Sequence, residues 1–254
     1  MRIALRLEYD GTDFRGSQLQ AEDRTVQSAL ENALHKLFQQ PIRPYMASRT
    51  DSGVHAVDQV AAFDVSTYLD MQTVTNALNS HLPHDVAVAS SHHVDAEFYP
   101  RGDAVSREYT YTINNSKTEH PLTRRSSATV YNHLDEAVMS QSAKMLEGAR
   151  DFASFAGPSV LPEAPTIRRM LDTDVTRDGD SVKIWFKANA YLHQQIRRMV
   201  GTLVELGKAK MTEQDFVELL EHPRKGAGTV LMAARGLCLT RINYPETGPG
   251  ALPA

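Results

Sequence analysis

The same succession of hydrophobic periods runs along this chain twice, and that repetition limits the fold more than any single motif does. Residues 2–9 alternate, with Ile3, Leu5 and Leu7 on one face, the period-two signature of a strand. From Thr25 the apolar positions Val26, Leu30, Leu34, Leu37 and Phe38 recur at helical spacing, and Thr25 is placed to cap the start. Strands are predicted near 42–47 and 56–65, a helix near 70–79 through Met71, Val74 and Leu78, and a strand near 86–93. That order is β-α-β-β-α-β. The second half follows suit: a strand near 105–113, then a helix near 134–147 with Leu134, Val138, Ala143 and Leu146. Strands near 167–175 and 181–189 come next, and Asp178-Gly179 between them favours a hairpin. A helix over about 191–207 carries Ile196, Met199, Val200 and Leu203; a shorter one near 212–221 precedes a strand near 236–243. Two successive ferredoxin-like patterns predict an α+β protein of two similar halves, residues 1–104 and 105–245. The Pro- and Gly-rich stretch 246–254 is predicted to be a flexible tail.

With 254 residues, the chain has ample material for a core. Cys238 is the sole cysteine, which excludes an internal disulfide and a thiolate zinc site. The ten histidines include His81, His84, His92 and His93, yet none falls in a His-Glu-x-x-His frame, so no metal is expected. No Gly-x-x-x-x-Gly-Lys-Ser/Thr loop is present, which argues against nucleotide hydrolysis and a nucleotide cofactor. Arg2, Arg6 and Glu8 come too early for a signal peptide, and no apolar run approaches a membrane span; a cytoplasmic protein is predicted. The formal net charge of −4 rules out a uniformly basic surface. Nucleic-acid binding would therefore need a local patch, for which Arg101 with Arg107, Arg124-Arg125, Arg168-Arg169, Arg197-Arg198, Lys208 with Lys210, and Arg224-Lys225 are candidates.

The segment Ser48-Arg49-Thr50-Asp51-Ser52-Gly53-Val54-His55-Ala56 puts a carboxylate in a tight turn between two strand-like runs. A loop tip on a rigid scaffold suits a nucleophile. An Asp that merely bonds backbone amides in an Asx-turn is the competing reading. A hydrolytic triad of Ser48, Asp51 and His55 is disfavoured, because all three crowd one short loop and no Gly-x-Ser-x-Gly elbow exists.

Seven segments, in register from residue 3 to residue 245, carry a wider likeness. Arg49 to Ala56 resembles the catalytic motif of the tRNA pseudouridine synthase A family. Leu7 to Gly16 resembles that family's opening strand and loop; Thr25-Val26-Gln27 with Leu30, Glu31, Ala33 and Leu34 resembles its first helix. Arg107-Glu108-Tyr109-Thr110-Tyr111 is similar to its Arg-x-Tyr-x-Tyr strand, and Asp151 to Phe155 to its Asp-Phe-x-Ser-Phe segment. Ala188-Asn189-Ala190 with His193 to Gly201 resembles a late strand-to-helix motif, and Gly236-Leu237 with Tyr244-Pro245 the closing strand. The resemblance implies two halves whose sheets join into one mixed, mostly antiparallel sheet, with a positively charged cleft between them.

It also implies an activity: conversion of uridine to pseudouridine at positions 38, 39 and 40 of the tRNA anticodon stem-loop, by a homodimer that contacts one tRNA with both subunits. The reaction involves no redox or phosphoryl step, so no cofactor is expected. By resemblance Asp51 is the catalytic carboxylate, as nucleophile or as base, with both routes open. Arg197 falls at the position that pairs with it. Arg49 helps displace the target base, a task suited to a guanidinium that stacks while reaching phosphates. Tyr109 packs on the uracil, and Phe98 and Arg101 match an RNA-contacting stretch. The chain departs from the family's common residues at Ser17 (Trp), Ser48 (Gly), Ser52 (Ala), Pro165 (Arg) and Gln195 (Met). Ser17 and Pro165 bear on RNA positioning more than on the chemistry. Two alternatives stand beside this expectation: a non-catalytic RNA-binding or tRNA-chaperone protein of the same fold, and a hydrolase that uses Asp51 to release uracil.

Overall fold

The structure is a computed structural model, and it describes residues 1–161, 163–228 and 230–253. Among these, ten strands form one mixed, mostly antiparallel sheet, accompanied by five α-helices. The α+β class matches the sequence expectation. The chain divides into two compact units: Met1–Arg107 together with the residues from Cys238 onward, and Glu108–Leu237.

The first unit contains β1 (Arg2–Tyr9), α1 (Val26–Phe38), β2 (Tyr45–Met46), β3 (His55–Asp64), α2 (Met71–His81), β4 (Val86–Val94) and the last strand, β10 (Leu237–Asn243). Strand β1 is central, antiparallel to β3 (Leu5 opposite Ala61) and to β4 (Leu5 opposite Ser91). β2 lies antiparallel on β3, while β10 joins β3 in parallel through Cys238 opposite His55 and Leu239 opposite Ala56. Ile3, Leu5, Leu7, Leu30, Leu34, Phe63, Val74, Leu78 and Val88 form one core cluster. Each large side chain so buried contributes ~1.5–3 kcal/mol relative to exposure. Thr25 and Ser28 close a reciprocal capping box at α1, at 3.1 and 3.0 Å, and the Asp70 carboxylate accepts the Thr73 N–H at 2.9 Å at α2. The strand predicted over 42–47 shrinks to two residues. Pro41 and Pro44 have no N–H to offer a ladder, which confines pairing to Tyr45 and Met46. Past β10, Leu252 is buried and Arg6 Nη2 donates to the Pro253 carbonyl at 3.1 Å, so part of the predicted flexible tail is anchored.

The second unit carries β5 (Ser106–Asn114), β6 (Ala128–Thr129), α3 (Glu136–Lys144), β7 (Gly148–Asp151), β8 (Ile167–Asp178), β9 (Ser181–Ala188), α4 (Gln195–Gly207) and α5 (Glu213–Glu221). Its strands run β5-β9-β8-β7, with β6 parallel on β5. β8 and β9 make the predicted hairpin, closed by Asp178 opposite Ser181 with Gly179 at φ 56°. The predicted helix over 134–147 is shorter at both ends. Asp135 caps it, accepting from Ala137 and Val138, and residues 148–151 leave it to pair with β8 as β7. α4 likewise starts at Gln195 rather than near 191. Gln194 adopts a left-handed backbone at φ 59°, and the Gln195 side-chain oxygen takes the Leu192 N–H at 2.8 Å. Ile196, Met199, Val200 and Leu203 form its buried stripe as the spacing requires.

Candidate active site

The turn after Ala47 is held by its own unit at almost every residue. Gln59, fully buried on β3, accepts the Ser48 N–H at 3.1 Å and donates to the Ser48 carbonyl at 2.8 Å. Both backbone groups of Thr50 pair with Ser17: its N–H with Ser17 Oγ at 2.9 Å, its carbonyl with Ser17 N–H at 3.1 Å. The Thr50 hydroxyl meets the Tyr9 hydroxyl at 2.8 Å. Phe14's carbonyl accepts from the Ser52 hydroxyl at 3.2 Å and from Gly53 N–H at 3.3 Å. Asp51 to Val54 then close a β-turn, Val54 N–H to Asp51 carbonyl at 3.1 Å, with Gly53 at φ 78°, where a type II turn demands glycine. Asp51 is half-buried at this tip, and Arg49 is exposed.

Two glycines let the amino-terminal loop lie flush on the turn. A Cβ on Gly11 would fall 2.0 Å from the Val54 carbonyl oxygen; one on Gly16, at φ 99°, would fall 2.9 Å from that of Thr50. Below the turn, His55 Nδ1 lies 3.1 Å from the Gly11 nitrogen and 3.1 Å from Asp10 Oδ1. One ring nitrogen cannot serve both. With the proton on Nε2 it accepts the Gly11 N–H; protonated at Nδ1 it donates to Asp10. Either way His55 belts the turn to residues 10–11, which is support rather than a hydrolytic role.

Phe98 and Arg101 occupy the same unit in different settings. Phe98 has no exposed surface; its ring packs against Tyr244 with centroids 5.2 Å apart. A ring so enclosed supports the turn beyond it and offers no face to RNA. Arg101 is exposed on that turn, which Asp103 closes by accepting the Tyr99 N–H at 2.7 Å. The Arg101 carbonyl takes Arg107 Nη2 at 2.6 Å, and the Tyr244 hydroxyl donates to the Pro100 carbonyl at 2.6 Å. Burial pushes the Tyr244 hydroxyl's pKa far up, so it remains a donor there.

In the second unit, Tyr109 is nearly buried on β5 and meets Tyr191 edge-on, ring centroids 5.3 Å apart. Tyr111 is wholly buried and donates to the Ala233 carbonyl at 2.7 Å; burial raises its pKa, opposed by the Arg197 charge. Arg197, half-buried on α4, sends Nε to the Met232 carbonyl at 2.7 Å, while Met232 N–H returns to the Arg197 carbonyl at 3.3 Å. Its guanidinium is thus fixed by segment 231–233 rather than spread in solvent. The candidate residues therefore form two groups: Arg49, Asp51, Phe98 and Arg101 in one unit, Tyr109 and Arg197 in the other. Among the described residues, no three His, Cys, Asp or Glu side chains cluster to hold a metal ion, and no helix is long and apolar enough to cross a membrane.

A sequence profile described as tRNA pseudouridine synthase matches residues 7–99 and 142–245, stretches that hold Arg49, Asp51, Phe98 and Arg197. The chain belongs to the tRNA pseudouridine synthase family. Similar proteins named tRNA pseudouridine synthase A come from several organisms. That of Roseiflexus castenholzii is 39% identical, covering 98% of this chain and 93% of the relative. That of Geobacter sulfurreducens is 36% identical over 95% and 99%, and that of Photobacterium profundum 38% over 97% and 94%. As a tRNA pseudouridine synthase the chain is an isomerase. The sequence motif named the candidate side chains but missed the residues that hold them in this synthase: Gln59, Tyr9, Tyr191 and the Gln195 clamp. A polar Gln59 leading the apolar run Val60-Ala61-Ala62-Phe63 was the one available signal for a buried hydrogen-bonding role.

Proposed function

We propose that this chain isomerises uridine to pseudouridine in the anticodon stem-loop of tRNA, at positions 38, 39 and 40, with Asp51 as the catalytic carboxylate. The observation that carries the reading is the half-buried Asp51 at the tip of a turn whose flanking residues are tied down on both sides. Such fixation is what a group needs to meet one ribose carbon in a near-attack geometry. In the reaction the N1–C1′ bond breaks, the base turns, and C5 bonds to C1′; the C5 proton is lost and N1 gains one. Asp51 acts on the ribose, by attack at C1′ or by removing the C2′ proton. Arg197 stabilises that carboxylate. Tyr109 supports the uracil ring, Arg49 takes the place of the displaced base, and Arg101 neutralises a backbone phosphate. The working form in this reading is a cytoplasmic homodimer, with one tRNA spanning both subunits.

Release of tritium from tRNA labelled at uridine C5 tests it, because that hydrogen leaves only when the new C–C bond forms. The parent protein should release label from the anticodon stem-loop. Asp51→Asn, which keeps the size and much of the turn bonding, should bind tRNA and release none. Substantial release by Asp51→Asn would falsify the assignment. Free uracil in place of label would identify a hydrolase, and binding without either product a non-catalytic RNA-binding protein.

A further inference from the structure

Ser17 is fully buried and holds the backbone of Thr50, immediately before Asp51, from both sides. The Thr50 carbonyl belongs to the peptide plane that ends at the Asp51 nitrogen. Its direction therefore sets the direction in which Asp51 leaves the chain. Ser17 is itself fixed. The Gly16 carbonyl takes the Val26 N–H at 3.2 Å and the Ser17 carbonyl takes the Gln27 N–H at 3.0 Å, which ties both residues to the first turn of α1. In this chain the position is filled by a small residue whose side chain is an acceptor. The Thr50 amide, shut away from water, needs an acceptor, and the Ser17 hydroxyl supplies it.

We propose that Ser17 is a positioning residue for the pseudouridine reaction. Its hydroxyl passes the rigidity of α1 to the turn and holds Asp51 where the ribose will lie. The inference rests on the reading of Asp51 as the catalytic carboxylate. Without the hydroxyl, the Thr50 N–H, in the Arg49–Thr50 peptide, either stays unpaired or rotates towards another acceptor, and Thr50 is then held on one side only, through its carbonyl, so that the Asp51 peptide loses half of its anchor. A displacement of about an ångström at a reacting group slows a reaction on the order of a hundredfold.

Single-turnover rates, tRNA dissociation constants and thermal melting of Ser17→Ala, Ser17→Cys and Asp51→Asn, each beside the parent, test this. Ser17→Ala should bind tRNA within about threefold of the parent yet turn over roughly ten- to a hundredfold more slowly per folded molecule. Ser17→Cys, whose sulfur is a weaker acceptor of similar shape, should fall between the two. A purely structural serine would lower the melting temperature and leave the rate per folded molecule at the parent value; that result overturns the inference. Should Ser17→Ala not fold, a parent rate in Ser17→Cys overturns it equally. An inactive Asp51→Asn beside a fully active Ser17→Ala would sink the role of Ser17 alone. An active Asp51→Asn would sink the reading of the site beneath it.

Discussion

At the scale of single residues, the side chains to which the proposed mechanism gives chemistry are those the motif names, and the ones that hold them are not. Arg197 is the test of the second unit's share. Its Nε bond to the Met232 carbonyl fixes the guanidinium, and what remains to hold the helix without it is the Met232 N–H to Arg197 carbonyl bond and the buried stripe of α4. Arg197→Met retains much of the apolar stem and removes the charge, so single-turnover rate at neutral pH should fall at least about tenfold, well beyond any loss of tRNA affinity. Arg197→Lys should recover only part, because an ammonium lacks the planar fork. A near-parent rate in Arg197→Met would take this residue out of the mechanism. Asp51 and Arg49 were legible because a short contiguous motif carries them. Ser17 and Gln59 were not, because each acts on a residue remote in sequence, Thr50 and Ser48, through hydrogen bonds that no periodicity records. Phe98 is a case where the motif and the burial point to different settings. A position that matches an RNA-contacting stretch proves to be core, since an aromatic at a loop start is as good a plug as a platform.

Among elements, the loop that braces the turn is itself braced by a charged chain. Arg24 lies over the Phe14 ring, 4.0 Å from its centroid, and donates to Asp85 at 2.7 and 2.8 Å. Phe14 is the residue whose carbonyl holds Ser52 and Gly53. The hydrogen bonds from Arg24 hold the Asp85 carboxyl below its ordinary range, against the opposing effect of desolvation. A depressed folded-state pKa means stability that is present above the unfolded carboxylate value of about 3.9 and lost as pH falls through the folded value. With Arg24 well exposed, solvent screening keeps the pair to about 0.5–1 kcal/mol. Asp85→Asn should therefore lower stability by that amount at pH 7, with the gap to the parent closing as pH falls below the unfolded carboxylate value. Urea midpoints across that range check it, and a gap that ignores pH would assign the loss to packing. The long periodic elements β1, α1, α2, β5, β9 and α5 were readable because alternation and caps agree. β6 and β7, of two and four residues, are too short to carry a period at all.

For the molecule as a whole, a net charge of −4 makes any RNA contact a local affair. Affinity for tRNA should drop steeply with salt, with a log–log slope of roughly −0.7 per single-strand phosphate and about −0.9 per duplex phosphate. Removing exposed Arg101 as Arg101→Ala should weaken binding and flatten that slope by about one unit. Binding indifferent to salt would count against an electrostatic groove of any kind. The path of the chain adds a constraint in time. The turn bearing Asp51 leaves the ribosome well before the strand that pairs with its exit, Cys238 opposite His55. At ~5–20 residues per second, on the order of ten to forty seconds separate the two. Until then the edge of β3 beside His55 has no strand beside it, and a pairing so distant in sequence is slow to find its register. A growing chain therefore presents the Asp51 turn long before the sheet beside it can close, and that closure waits for the strand around Cys238 and Leu239 to be made.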